Sequence, residues 1–224
     1  MITETKIALI LLSLTALVRL VGQILGVNVI GAFALVVDVY ALALLFGLQH
    51  RQRAVSPFWL AVLFGFALPF EHVMQHTMGY ALQHVSAAGA CQILNLGTSP
   101  VQCEGVRILL AGKDVLVDLP CSGARGLFLL FILFSALAAI TRPTWFYASI
   151  GIAITLIAAF IVNVIRIVLL AIGLGEIDVM ASPIHDLIGL TALGIGIIPI
   201  LLWAMKSIVA MTSMTGQTTP TRQI

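Results

Sequence analysis

Residues Trp145–Ile172 read WFYASIGIAITLIAAFIVNVIRIVLLAI, with Arg166 as the one charged residue in the run. At about 1.5 Å per residue, a helix of this length exceeds the ~30 Å hydrocarbon core of a bilayer. It is apolar on every side, so it is not the amphipathic helix of a soluble surface. The stretch predicts a lipid-spanning helix. Five further apolar runs surround it: Ile7–Leu25, Val29–Leu48, Pro57 to about Met74, Cys121 to near Ile140, and Pro183 to near Met205. At about 20 residues per span, roughly six spans and one sizeable loop exhaust the chain. The fold class expected is an all-α polytopic membrane bundle of about six helices.

Composition agrees. Of 224 residues, 61% are hydrophobic and 9% charged, with a mean hydropathy of +1.14. A soluble domain is about half apolar and about a quarter charged. A soluble globule, a disordered chain and a nucleic-acid binder are excluded. The formal charge of +2 offers no basic face to a polyanion. A cleaved leader is not expected at the N-terminus, because Arg19 interrupts the first apolar run and Glu4 spoils a basic start. Residues 1–210 are expected to form one integral membrane domain. The Thr-, Gln- and Ser-rich residues 211–224 are expected to be a disordered cytoplasmic tail.

The basic residues set a direction. Arg51, Arg53, Arg142, Lys206 and Arg222 fall on one side of a six-span arrangement, and Arg107 and Lys113 on the other. The positive-inside rule makes the first side cytoplasmic. The segment from about Gly79 to Pro120 is then external. Tyr80–Leu96 reads as an interfacial helix. Val106–Leu110 and Val115–Leu119, around a turn at Ala111–Asp114, read as a short β-hairpin leading into Pro120-Cys121.

Three polar residues then meet one membrane surface. Cys121 opens the fourth span, Arg166 lies near the outer end of the fifth, and His185 opens the sixth. A helix N-terminus favours thiolate. Arg125, one turn after Cys121, can stabilise it further. Ser182 and Pro183 suit a helix start, which places His185 in a first turn, where a neutral imidazole can act as base. Arg166, roughly 10 Å below a helix end at Gly173, is costly in lipid and therefore a functional candidate. Asn163, one turn earlier, is placed to orient it. A guanidinium there can hold the oxyanion formed when a thiolate attacks a peptide carbonyl.

The rest of the polar set carries less. His72 and His76 share a helix face beside Glu71, but no third ligand is evident, and the cluster reads as a polar cap; no metal and no cofactor are expected. Cys91 and Cys103 both lie outside, where a disulfide is permitted. Their spacing does not decide between a disulfide and two buried thiols, and in either case Cys121 is left over. Asp38, midway along the second span, has a candidate partner in Arg19 across adjacent antiparallel spans. Intramembrane charge of this kind also suits a small transporter. A non-enzymatic envelope assembly protein, docking through the outer loop, is the other rival.

Cys121-Ser122-Gly123-Ala124-Arg125 resembles the cysteine motif of the exosortase/archaeosortase family. Asn163-Val164-Ile165-Arg166-Ile167 resembles its second motif, and His185 with Gly189 its third. Leu82-Gln83, Glu104-Gly105-Val106-Arg107-Ile108 and Val117 resemble the approach to the cysteine motif. The resemblance covers roughly Leu68 to Leu190. It implies a membrane-embedded cysteine protease or transpeptidase of the bacterial cytoplasmic membrane, with its active site facing the periplasm or exterior. By resemblance Cys121 is the nucleophile, His185 the general acid/base and Arg166 the substrate or oxyanion contact, with Ser122, Gly123, Arg125 and Asn163 in support. The implied partners are exported proteins with a C-terminal tail: a short motif such as Pro-Glu-Pro, a hydrophobic span and a basic cluster. Membrane lipid is the other partner, and nucleic acid is not one.

Overall fold

A computed structural model describes residues 2–68, 71–97, 100–110, 113–116, 123–176 and 182–216. Helices α1 (Ile2–Ile24), α2 (Asn28–Leu45), α3 (Pro57–Ala67) and α4 (Glu71–Leu94) come first. Strands β1 (Val101–Glu104), β2 (Arg107–Leu110) and β3 (Lys113–Leu116) follow, then α5 (Ala124–Thr141), α6 (Trp145–Glu176) and α7 (Ser182–Gly216). Thr3–Ile24, Ala124–Thr141, Trp145–Gly173 and Leu187–Val209 are long and apolar enough to cross a membrane. Val29–Leu45 and Pro57–Ala67 are shorter apolar helices. They lie where the six apolar runs were expected, four of them long enough to cross, and the chain is a helical membrane protein.

The chain divides into two compact units, and α5, α6 and α7 each contribute to both. The first unit holds residues 1–69, 132–150 and 203–224. Here α1 and α2 form a hairpin. Gly26, at φ +68°, ends α1, with Val27 N–H donating to Gly22 O at 2.9 Å and Gly26 N–H to Gln23 O at 3.2 Å. This pattern satisfies the last helix carbonyls and needs a residue at ease in left-handed backbone. Between the helices, Arg19 meets Asp38 at 2.8 Å, and Thr15 donates a hydrogen bond to the other carboxylate oxygen. The pairing expected for Asp38 is therefore present. An aromatic cluster of Trp59, Phe134 and Trp203 fills the rest of this unit, and the Trp203 indole N–H reaches Tyr147 O at 2.9 Å.

The second unit holds residues 70–131 and 151–202. Small residues on α4 let it press against α6: a Cβ on Gly89 would lie 3.0 Å from Val164 Cγ2. Ala87, Ala90 and Leu94 of α4 bury Ile108 and Leu110 of β2 together with Val164, Ile167 and Ala171 of α6. The three strands form one antiparallel sheet in the order β1-β2-β3. Cys103 of β1 is joined to Cys91 of α4 by a disulfide, with Cα atoms 6.4 Å apart.

Several boundaries differ from the sequence reading. The third apolar helix stops at Ala67, not Met74, and a separate α4 begins at Glu71 rather than Tyr80. The expected hairpin gains a third strand, because Val101–Glu104 pairs with β2 through the register Cys103↔Ile108. β3 starts at Lys113, whose partner on β2 is Leu110; residues 111–112 and 117–119 lie outside the described residues. α6 runs on to Glu176, so Arg166 sits about 15 Å from its end rather than about 10 Å. α7 continues through Met211 to Gly216, into the stretch expected to be tail.

Candidate active site

α5 begins at Ala124, within the cysteine motif. Gly123 is the cap: its carbonyl accepts from Leu127 N–H at 2.9 Å, while its own φ is +88°. A side chain is disfavoured there twice over. Left-handed backbone costs an L-residue about 1–2 kcal/mol. A Cβ would also fall 2.5 Å from Asn163 Cγ and 2.6 Å from Asn163 Nδ2. Gly123 therefore lies flat against the Asn163 amide, and the two sequence motifs touch.

Asn163 is buried, with 6% of its surface exposed. Arg166 follows one turn later on the same face of α6. Its Nε is buried and has no hydrogen-bond partner among the described residues. An unpaired buried N–H costs about 1–3 kcal/mol, so such a group is kept where it has an acceptor to meet. The guanidinium packs over Gly189 of α7: a Cβ at that position would lie 3.5 Å from Nε and 3.7 Å from Cζ. Gly189 thus gives the guanidinium its seat, one turn after His185.

These groups border one cleft of about 40 Å³. Gly123 at the cap of α5 and Gly126 within it form one wall, Ala159, Asn163 and Arg166 of α6 another, and Gly189 and Ala192 of α7 the third. The space suits one to three water molecules or a few heavy atoms of a ligand, by the rule of roughly 10–15 Å³ per water position. It combines an amide and a guanidinium with apolar walls, which suits binding an oxygen that becomes negative during a reaction.

The structure brings together Gly123, Asn163 and Arg166 of the expected set. Arg125 is exposed on the first turn of α5. Cys121 and Ser122 lie outside the described residues. His185 is in the first turn of α7, as the Ser182-Pro183 start suggests, and its side chain lies outside the described residues. The side chains of Glu71, His72 and His76 lie outside them as well. Among the described residues, no three His, Cys, Asp or Glu side chains gather as a metal site. Sequence reasoning missed Gly126 and Ala159 as cleft walls. The available signal was spacing: Ala159 is one turn before Asn163, and Gly126 one turn after Gly123.

Membrane helices that enclose the Asn163 amide and the Arg166 guanidinium of α6 in a small cleft make this an integral membrane protein with a polar site. The family is then explicit: residues 2–202 match the model described as Transmembrane exosortase (Exosortase_EpsH), and the chain belongs to the transmembrane exosortase family. That membership carries a membrane protease- or transpeptidase-like role in general. No curated protein and no solved structure matches the chain.

Proposed function

We propose that the protein is a cysteine protease or transpeptidase that cleaves C-terminal sorting tails of exported proteins at the outer face of the bacterial cytoplasmic membrane. The observation that carries the reading is the contact of Gly123 with Asn163, which seats the residue two positions after Cys121 one helical turn from Arg166. In this mechanism His185 takes the Cys121 proton, and the resulting thiolate attacks the scissile carbonyl carbon. The carbonyl oxygen becomes an oxyanion and accepts from the Arg166 guanidinium, whose Nε–H is otherwise unmet among the described residues. His185 protonates the departing amine, and the C–N bond breaks to leave an acyl-thioester on Cys121. Water or an acceptor nucleophile then takes the acyl group and returns the thiol.

Orientation rests on charge. Arg51, Arg53, Arg142 and Lys206 belong to the cytoplasmic side by the positive-inside rule, which sets the sheet and the cysteine motif outside. A substrate tail with a basic end obeys the same rule, so its scissile region reaches the same surface. The transport alternative drew on Asp38, and that carboxylate is taken up by Arg19 and Thr15.

The test is co-expression with a secreted reporter carrying a candidate tail from the same genome. Intact mass is compared between wild type and Cys121→Ala. Tail loss that depends on Cys121 is the expected result, and the mass of the new C-terminus separates hydrolysis from transfer. Tail loss that persists in Cys121→Ala assigns the cleavage to another protease and ends the proposal.

A further inference from the structure

The polar cleft uses one side of Asn163. A second cleft, also of about 40 Å³, shares Gly123, Ala159 and Asn163 but is closed by α4 instead of α7. Its remaining walls are Leu82 and Ser86 of α4, Leu127 of α5, and Leu156 and Phe160 of α6. It is apolar apart from Ser86 and the Asn163 amide. From Gly123 it leads away from the start of α5 and toward the middle of α6, because Leu156 lies about 10 Å from Asn163 along the helix axis. Its rim carries two large apolar side chains that are well exposed, Leu156 at 46% and Phe160 at 37%. Both belong to the stretch Trp145–Gly173, which is apolar enough to cross a membrane. The cleft is therefore bordered by apolar surface of the kind that lipid or an apolar segment covers.

We infer that this cleft receives a side chain from the hydrophobic segment of the substrate, the first apolar residue on the membrane side of the scissile bond. The inference rests on the proposed cleavage reaction. Gly123, two positions after Cys121 in the sequence, lines both clefts, so an extended chain at this end of α5 has the polar cleft on one hand and the apolar cleft on the other. The direction of the cleft, into the membrane part of α6, matches the leaving segment rather than the exported one. Its size sets the occupant. A cavity of ~150 Å³ admits benzene, so roughly 40 Å³ suits a side chain of one to three carbons. A lipid acyl chain has the same surface chemistry, and the test separates the two sources.

The experiment uses a reporter tail that wild type processes and Cys121→Ala does not. The four residues after the cleavage point are changed one at a time to Ala, Leu and Trp, and kcat and KM are measured in membranes of fixed lipid composition. One position is expected to slow by roughly tenfold or more with Trp, through KM, as a filled apolar pocket discriminates. Leu156→Ala is expected to narrow that penalty at the same position and at no other. Leu156→Trp is expected to slow even the Ala tail. Leu156 is well exposed, so neither change disturbs buried packing. The inference is overturned if Leu156 variants scale every tail alike, if they act on kcat alone, or if rates follow lipid chain length and not tail sequence. In all three cases Cys121-dependent cleavage persists and the proposed function stands. Absence of any Cys121-dependent cleavage removes both.

Discussion

Gly123 fills two needs that no other residue type meets together: left-handed backbone and the absence of a Cβ beside Asn163. Gly123→Ala is expected to lower processing at least about tenfold, since more than one kcal/mol of backbone preference is lost before the steric clash is counted. Initial rates, with membrane insertion as the control, check this. Arg166→Lys is expected to behave like Arg166→Ala, with a loss of about 10²–10³ in kcat, because a lysine has no Nε–H and no planar fork. Rescue by lysine would reduce Arg166 to a point charge. The residue scale is also where the sequence was most uneven as a guide. Asn163 and Arg166 stand out because polar groups are rare in an apolar run. The contact between Gly123 and Asn163 does not, since periodicity along one helix carries no distance to another. Leu156 and Phe160 were invisible for a different reason: an apolar residue in a lipid span has no contrast with its neighbours.

At the scale of elements, legibility followed the physical contrast of each segment with its surroundings. The long spans were readable because lipid demands an unbroken apolar run. β1 was not, because Val101-Gln102-Cys103-Glu104 is an edge strand with its last three residues exposed, so no alternation marks it. The break between α3 and α4 was obscured by the continuing apolar sequence Leu68-Pro69-Phe70, although a proline disfavours helix in the residue before it. The disulfide between α4 and β1 closes a twelve-residue separation, so replacing both cysteines by serine is expected to cost about 3 kcal/mol of stability. Thermal unfolding in detergent reads this as a lowered midpoint. The α1–α2 hairpin makes a separate expectation. Arg19→Leu leaves the Asp38 carboxylate without its cation, and the double change Arg19→Leu with Asp38→Leu removes both charges. The single variant is expected to be the less stable of the two, because Asp38 is itself buried and would keep an uncompensated charge. Equal stability would mean that Thr15 alone satisfies Asp38.

At the scale of the whole molecule, the orientation proposed from charge has a direct check. Gln102 is exposed on β1, and Arg53 is exposed in the connection between α2 and α3. In a Cys121→Ala background, a membrane-impermeant maleimide is expected to label Gln102→Cys in intact cells and to label Arg53→Cys only after lysis. The reverse pattern would invert the topology and place the sheet in the cytoplasm.

The disulfide bears on more than stability. The chain has three cysteines, and two of them are joined. With the cysteines on the outer side, as the proposed orientation has them, an odd number of thiols poses a choice of partner during folding. The Cys91–Cys103 bond settles it by consuming the two rivals of Cys121. Under the proposed function, a newly inserted chain makes this one bond to keep its third sulfur available, and an exchange that captures Cys121 silences it. Removing Cys91 alone liberates Cys103 as a competitor, so that single variant is expected to lose more activity than the chain lacking both. Non-reducing mass analysis of the two variants would show whether the sulfur kept for chemistry is protected by its neighbours' marriage.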